Sequence, residues 1–173
     1  MNRPKALNSI DPDVVILVNT QLKKWKMGNE SVPRVVMMTG SGNKAFCAGG
    51  DIINMYKGYA SGRSLKEMES GNHDYNLMHY SLANMEPIQI AFWDGIVMGG
   101  GIGCSQHSKI RICTEKTMYA MPETAIGFFT DVGASYFLSR IGLPLALYVA
   151  LTGQRFTANE LLQTKLATHF VPS

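Results

Sequence analysis

Two glycine-rich segments constrain this chain more than anything else in it. The first is Lys44-Ala45-Phe46-Cys47-Ala48-Gly49-Gly50-Asp51-Ile52 and the second is Asp94-Gly95-Ile96-Val97-Met98-Gly99-Gly100-Gly101-Ile102-Gly103. Each follows an apolar, strand-like run, and the second reads as a strand entering a helix. Backbone without a Cβ can bring its N–H groups close to a ligand. Two such points converging on one oxygen would stabilise an oxyanion.

The rest of the pattern supplies strands and helices in alternation. Asp11-Pro12 offers a helix cap and a first-turn proline, and Val14, Val18, Leu22 and Trp25 then fall on one face until Gly28-Asn29. Arg34 to Thr39 reads as a strand buried on both faces, because Val35 to Met38 is a continuous apolar run. A short helix is expected from Ile52 to Lys57, and a mobile surface segment or lid from Ala60 to Gly71. A helix over His73 to Met85 is expected to turn Leu77, Tyr80, Leu82 and Met85 inward. Strands are expected at 88–93, 109–113 and 119–121, a helix of small residues through His107, and helices at 136–141, at 145–151 and from Thr157. Strands alternating with helices make the fold class α/β. No period repeats cleanly enough to indicate a solenoid.

Composition excludes several classes. The 173 residues suit a single domain, 46% are hydrophobic, and the net charge is +3. That charge is scattered, apart from Lys23-Lys24-Trp25-Lys26, which reads as a solvated helix face, so no nucleic-acid partner is expected. Cys47, Cys104 and Cys113 cannot all pair and show no ligand spacing, which favours a reducing compartment. No apolar run approaches the roughly 18 residues of a membrane span, and no targeting segment is visible. His73, His79, His107 and His169 lack a paired acid or cysteine at ligand spacing, so no metal is expected and all four read as structural or surface.

The familiar glycine motifs do not fit. Gly40-Ser41-Gly42-Asn43-Lys44 lacks the ending of a phosphate loop. The run Gly99 to Gly103 departs from dinucleotide-binding spacing, and Ser105 stands in no nucleophile elbow. Taken alone, Glu123 reads as a first-turn acid beside a helix dipole, and Asp131 as a turn residue before Val132-Gly133.

Three ordered motifs change that reading. Asn2-Arg3-Pro4-Lys5-Ala6-Leu7-Asn8, Ala45 to Ile52, and Asp94-Gly95 through Gly101 together resemble the crotonase (enoyl-CoA hydratase/isomerase) superfamily over essentially the whole chain. Ala120-Met121-Pro122-Glu123-Thr124-Ala125-Ile126-Gly127, Asp131-Val132-Gly133, Tyr136-Phe137-Leu138, Ala150-Leu151-Thr152-Gly153 and Ala167-Thr168-His169-Phe170-Val171 are similar to its 3-hydroxyisobutyryl-CoA hydrolase branch. The resemblance implies a crotonase-like ββα spiral core of parallel-type strands with covering helices. It implies an acyl-CoA substrate cleaved to free acid and CoA, as in mitochondrial valine catabolism, with no cofactor because CoA belongs to the substrate. It places Gly50 and Gly100 in the oxyanion hole, with the helix dipole at Gly100 helping. Glu123 becomes the catalytic carboxylate, as nucleophile or general base. Asp131 becomes its partner, orienting the substrate hydroxyl or water and raising a pKa by repulsion. Gly49, Asp51 and Asp74 are expected at the substrate, and Lys5, Ala6 and Leu7 at the adenine end of CoA.

One position discriminates within the superfamily. Hydratases carry a glutamate a few residues after the triple glycine, and here that place is Gly103. The alternatives are an enoyl-CoA hydratase or isomerase, and a non-catalytic protein retaining the fold. The resemblance further implies a strand before Asn2 and helices after Ser173, so the chain is expected to be a partial domain without its C-terminal helices. Its uncovered core would invite self-association. Thr130 and Ala134 stand where the family has proline and glycine, with expected consequences for Asp131.

Overall fold

In the computed structural model, residues 1–28 and 30–173 are described, together with every side chain among them except that of Leu65. Asn29, expected to end the first helix with Gly28, lies outside the described residues. That helix, α1 (Pro12–Lys26), starts as anticipated: Asp11 Oδ1 accepts from Val14 N at 3.0 Å, and Pro12 fills the first turn. Lys23, Lys24 and Lys26 close its last turn, where cations suit the helix dipole, and Lys24 pairs with Glu30 at 3.0 Å.

Two sheets follow. Strands β1 (Val35–Met38), β3 (Ile88–Trp93), β5 (Ile110–Cys113) and β7 (His169–Phe170) form one, in that order. Strands β2 (Ala45–Cys47), β4 (Ile96–Met98) and β6 (Met118–Ala120) form the other. Every pairing of these strands is parallel. Parallel neighbours need crossovers. Here the chain lays one strand in the first sheet, one in the second, and returns through helices. Helices α2 (Ile52–Ala60) and α3 (Leu65–Ala83) make the first return. The six residues of α4 (Gly100–Ser105) make the second. Helices α5 (Ala134–Leu138), α6 (Leu143–Thr152) and α7 (Ala158–Gln163) lie in the third. This is a ββα spiral whose turns differ greatly in length, so no sequence period betrays it. Strands β2 and β4 are three residues each and lie inside the two glycine-rich segments, the second of which does run from a strand into a helix, as its sequence suggests.

Three local expectations are corrected. The run Val35 to Met38 is not buried on both faces: β1 is an edge strand, and Val35 and Met37 face outward. The expected lid from Ala60 to Gly71 is largely helical. Ser64 accepts from Glu67 N while Glu67 Oε2 accepts from Ser64 N at 2.9 Å, a capping box that starts α3 well before His73. The inward face of α3 also differs. Met78, His79 and Leu82 are buried and Tyr75 packs against the core, whereas Leu77 and Tyr80 point out. Positions 75, 78, 79 and 82 form the stripe that helical spacing requires.

The core fills the space enclosed by the sheets and α3, with Phe46, Trp93, Val97, Ile102, Tyr119 and Met121 inaccessible to solvent. Its polar atoms are paired: Trp93 Nε1 donates to Ser105 Oγ at 2.9 Å, and the Tyr119 hydroxyl bonds Gln106 Oε1 at 3.1 Å. Ser105 is thereby a structural residue. The three cysteines are buried and free.

Candidate active site

The site is assembled at the carboxyl ends of the short sheet. Gly49 and Gly50 follow β2, Gly99 and Gly100 follow β4, and Glu123 follows β6. Because the strands are parallel and adjacent, these three ends emerge side by side, as ligand sites of open α/β sheets do. The register pairs Met98 with Ala120, and Gly99 N donates to Ala120 O at 3.3 Å, which brings Glu123 close to the second glycine segment. An irregularity between Ala45 and Cys47 shifts β2 against β4 just before the first segment, the usual way a strand re-aims its end.

The two segments touch. Gly49 has φ +97°, and a Cβ there would lie 3.2 Å from Gly100 N. Gly99 has φ +47°, and a Cβ there would lie 2.6 Å from Glu123 Oε1. Close approach and left-handed backbone thus both demand glycine. The direction of the Gly50 amide follows from its neighbours. Ile10 N donates to Gly49 O and Asp51 N donates to Ile10 O, at 2.8 and 2.9 Å, so the intervening N–H faces away from that ladder. Neither Gly50 N nor Gly100 N donates to a described residue. These are the two amides the sequence singles out.

Glu123 opens a short 3₁₀ turn, Glu123–Ile126, and is only 8% exposed. Its Oε2 is buried without a hydrogen-bond partner among the described residues. An unpaired buried carboxylate oxygen is costly unless a ligand meets it. Burial pushes the Glu123 pKa up to about 7, and the nearby Asp131 charge adds to this. Burial raises Asp131 as well. The geometry therefore brings together Gly49, Gly50, Gly99, Gly100, Glu123 and Asp131.

The Asp131 loop is held at both sides. Thr130 Oγ1 donates to Ala150 O at 2.8 Å, tying the loop to α6, and Ala134 N donates to Asp131 O at 2.8 Å. Val132 has φ +49° although it is β-branched and 3% exposed, a conformation that such a residue avoids unless its surroundings force it. The Thr130 and Ala134 departures are thus accommodated, one as an anchor and the other as the buried first residue of α5.

The remaining expected residues lie around this centre. Asp51 caps α2 through Asn54 N at 3.0 Å and pairs with Arg3 at 2.9 Å. Burial pushes its pKa up, but the Asn54 N–H and the Arg3 guanidinium outweigh that and hold it below its ordinary value. Arg3 also pairs with Asp11, and buried Asn8 donates to Ser41 O and Ala45 O, so the N-terminal motif fastens the first glycine segment. Lys5 and Ala6 line a surface cavity of about 330 Å³ with Arg3 and Pro4, and Leu7 O accepts from Ala48 N at 3.0 Å. Asp74 is exposed on α3, its carbonyl bonded by Asn19. Its neighbour Tyr75, which no sequence motif marks, brings its hydroxyl to both Gly50 and Gly100. Helical phase relative to Met78 and Leu82 was the available signal. At Gly103 a Cβ would lie 2.5 Å from Val132 Cβ and 2.6 Å from His79 Cδ2, so no larger side chain fits there.

Comparison with known proteins bears on the family and the fold. The Enoyl-CoA hydratase/isomerase family model matches residues 1–173. The 3-hydroxyisobutyryl-CoA hydrolase, mitochondrial, of Danio rerio is 41% identical over 173 residues, which are 100% of this chain and 44% of the relative. That of Dictyostelium discoideum is 43% identical over 177 residues, covering 99% and 46%. The chain thus spans less than half the length of these relatives. A crystal structure of an enoyl-CoA hydratase from Rhodobacter sphaeroides aligns with TM-score 0.88 and 30% identity, over 99% of this chain and 50% of that one. A carnitinyl-CoA dehydratase from Mycobacterium thermoresistibile aligns with TM-score 0.86 and 36% identity, over 98% and 49%.

Proposed function

The chain belongs to the enoyl-CoA hydratase/isomerase family, and from that premise we propose that it hydrolyses 3-hydroxyisobutyryl-CoA, or a similar short 3-hydroxyacyl-CoA thioester, to the free acid and CoA. The observation that carries this reading is the contrast between Glu123 and Gly103. Glu123 offers a carboxylate oxygen, and Gly50 and Gly100 offer amides, that have no partner among the described residues. At Gly103, where a hydratase would need its other glutamate, Val132 and His79 leave no space. One carboxylate beside an oxyanion hole suits acyl transfer to water better than addition of water across a double bond.

The thioester oxygen would sit against Gly50 N–H and Gly100 N–H. Attack on the carbonyl carbon, by Glu123 itself or by water that Glu123 deprotonates, moves the π pair onto that oxygen. Each preorganised donor is worth about 3–4 kcal/mol to such a step. Collapse of the intermediate breaks the C–S bond and releases CoA as thiolate. Direct attack leaves a mixed anhydride, which water then opens. Asp131 is assigned the substrate hydroxyl or the water. The relatives' names carry a mitochondrial location into this proposal, and the family resemblance adds a role in valine breakdown.

The test is release of free CoA thiol from 3-hydroxyisobutyryl-CoA by this chain and by Glu123→Ala. Release by the former and its loss in the latter is expected, and equal rates would overturn the proposal. Loss of crotonyl-CoA absorbance without thiol release would establish the hydratase reading instead.

A further inference from the structure

Tyr75 occupies the centre of this site without a role in the reaction as described so far. A Cβ placed on Gly100 would overlap its hydroxyl oxygen, and one placed on Gly50 would lie 3.4 Å from it. The phenol therefore touches both glycines whose amides define the oxyanion hole. Its hydroxyl makes no hydrogen bond to a described residue, whereas the fully buried phenol of Tyr119 has its partner in Gln106. Burial above all, with smaller contributions from Cys104, Asp131, Cys47 and Glu123, holds its pKa well above the ordinary value, so it keeps its proton and is a donor.

The ring is also fixed. His79, one turn along α3, stands edge-on to it with centroids 4.5 Å apart and planes at 70°. The same imidazole places Nδ1 2.8 Å from Tyr75 O and Nε2 3.1 Å from Gly100 O. His79 is 4% exposed and packs between the turn bearing Tyr75 and the turn bearing Gly100, its single neutral N–H donating to one of the two carbonyls. An unpartnered hydroxyl held rigidly at a point where charge develops is the condition for electrostatic stabilisation of a transition state.

We propose that Tyr75 is a third donor of the oxyanion hole: its O–H joins Gly50 N–H and Gly100 N–H on the thioester oxygen. The proton stays on the phenol throughout, and the hydrogen bond strengthens as the carbonyl π pair moves onto the oxygen. The inference rests on the proposed thioester chemistry but is tested apart from turnover. In a Glu123→Gln background, butyryl-CoA is bound and its carbonyl stretch is read by difference infrared spectroscopy. Adding Tyr75→Phe is expected to move that stretch part of the way back towards its value in water. An unchanged stretch would overturn the proposal. Fluorinated tyrosine at position 75 serves if the phenylalanine variant fails to fold, since it keeps the ring and makes the phenol a stronger donor. The carbonyl stretch should then move further from its value in water, and no movement would overturn the proposal. In the otherwise unaltered chain, Tyr75→Phe should lower kcat for CoA release about 100-fold with little change in KM. Failure of the unaltered chain to release CoA would count against the hydrolase reading alone, because the spectroscopic result stands without it.

Discussion

Glu123 is held at the edge of ionisation, because burial disfavours its charge and Asp131 adds a like charge. Both routes proposed for it require the carboxylate. With a pKa of about 7, kcat/KM should fall about tenfold for each pH unit below 7 and level off above it. A pH–rate profile checks this, and a flat profile from pH 5 to 8 would contradict it. Glu123→Gln, which keeps shape but not charge, should lower kcat by about 100- to 10,000-fold. This residue was legible because it stands inside an ordered motif after Pro122. Tyr75 was not, because a tyrosine among polar helix residues has no motif to mark it. Its place at the site comes from which face of α3 turns inward.

At the scale of elements, contact decides more than propensity. Helix α4 packs so closely beneath Val132 and His79 that its glycines are steric necessities rather than weak helix formers. Gly103→Ala should therefore destabilise the chain by about 1–3 kcal/mol despite alanine's better propensity, because the methyl overlaps Val132. Val132→Gly removes the overlapping side chain and relieves a β-branched residue at φ +49°. The two changes together should cost less than the sum of each alone, and urea unfolding of the four proteins measures the coupling. Strict additivity would show that the overlap is relieved elsewhere. The capping box of α3 gives a second test. Ser64→Ala should cost about 1 kcal/mol and speed amide exchange over residues 65–71, the stretch whose polarity suggested a lid. Unchanged exchange would mean that the helix start does not depend on its cap.

At the scale of the whole molecule, the site carries a cost in stability. The folded Glu123 keeps its proton up to about pH 7, whereas an ordinary glutamate loses it near 4.5. Between those values the native state binds more protons, so this residue's contribution to stability falls as pH rises. Above pH 7 its ionised, buried form is a fixed penalty, screened by the solvent that reaches the site. Glu123→Gln should then unfold at higher denaturant than the unaltered chain at pH 8, by roughly 1–3 kcal/mol, and the gap should close towards pH 5. Comparing the two proteins isolates Glu123 from His79 and His107, whose pKa values burial lowers and whose effect on stability runs the other way. A gap that does not depend on pH would refute the assignment.

The sequence by itself determined the α/β class, the helix beginning at Asp11-Pro12, the strand at 88–93 and the ordered residues Gly50, Gly100, Glu123 and Asp131. The class, the helix and the strand are local quantities, read from periodicity and caps, whereas the four site residues are marked only by the family resemblance of the motifs that hold them. The tertiary structure alone decided that β2, β4 and β6 lie side by side, so that residues from three distant segments meet at their carboxyl ends. It also decided that β1 is an exposed edge, that Val132 closes the space over Gly103, and that the Tyr75 hydroxyl lies against Gly50 and Gly100. The physical reason is the same in each case. Strand order, side-chain facing and steric exclusion depend on which surfaces pack together, and no spacing along the chain encodes that.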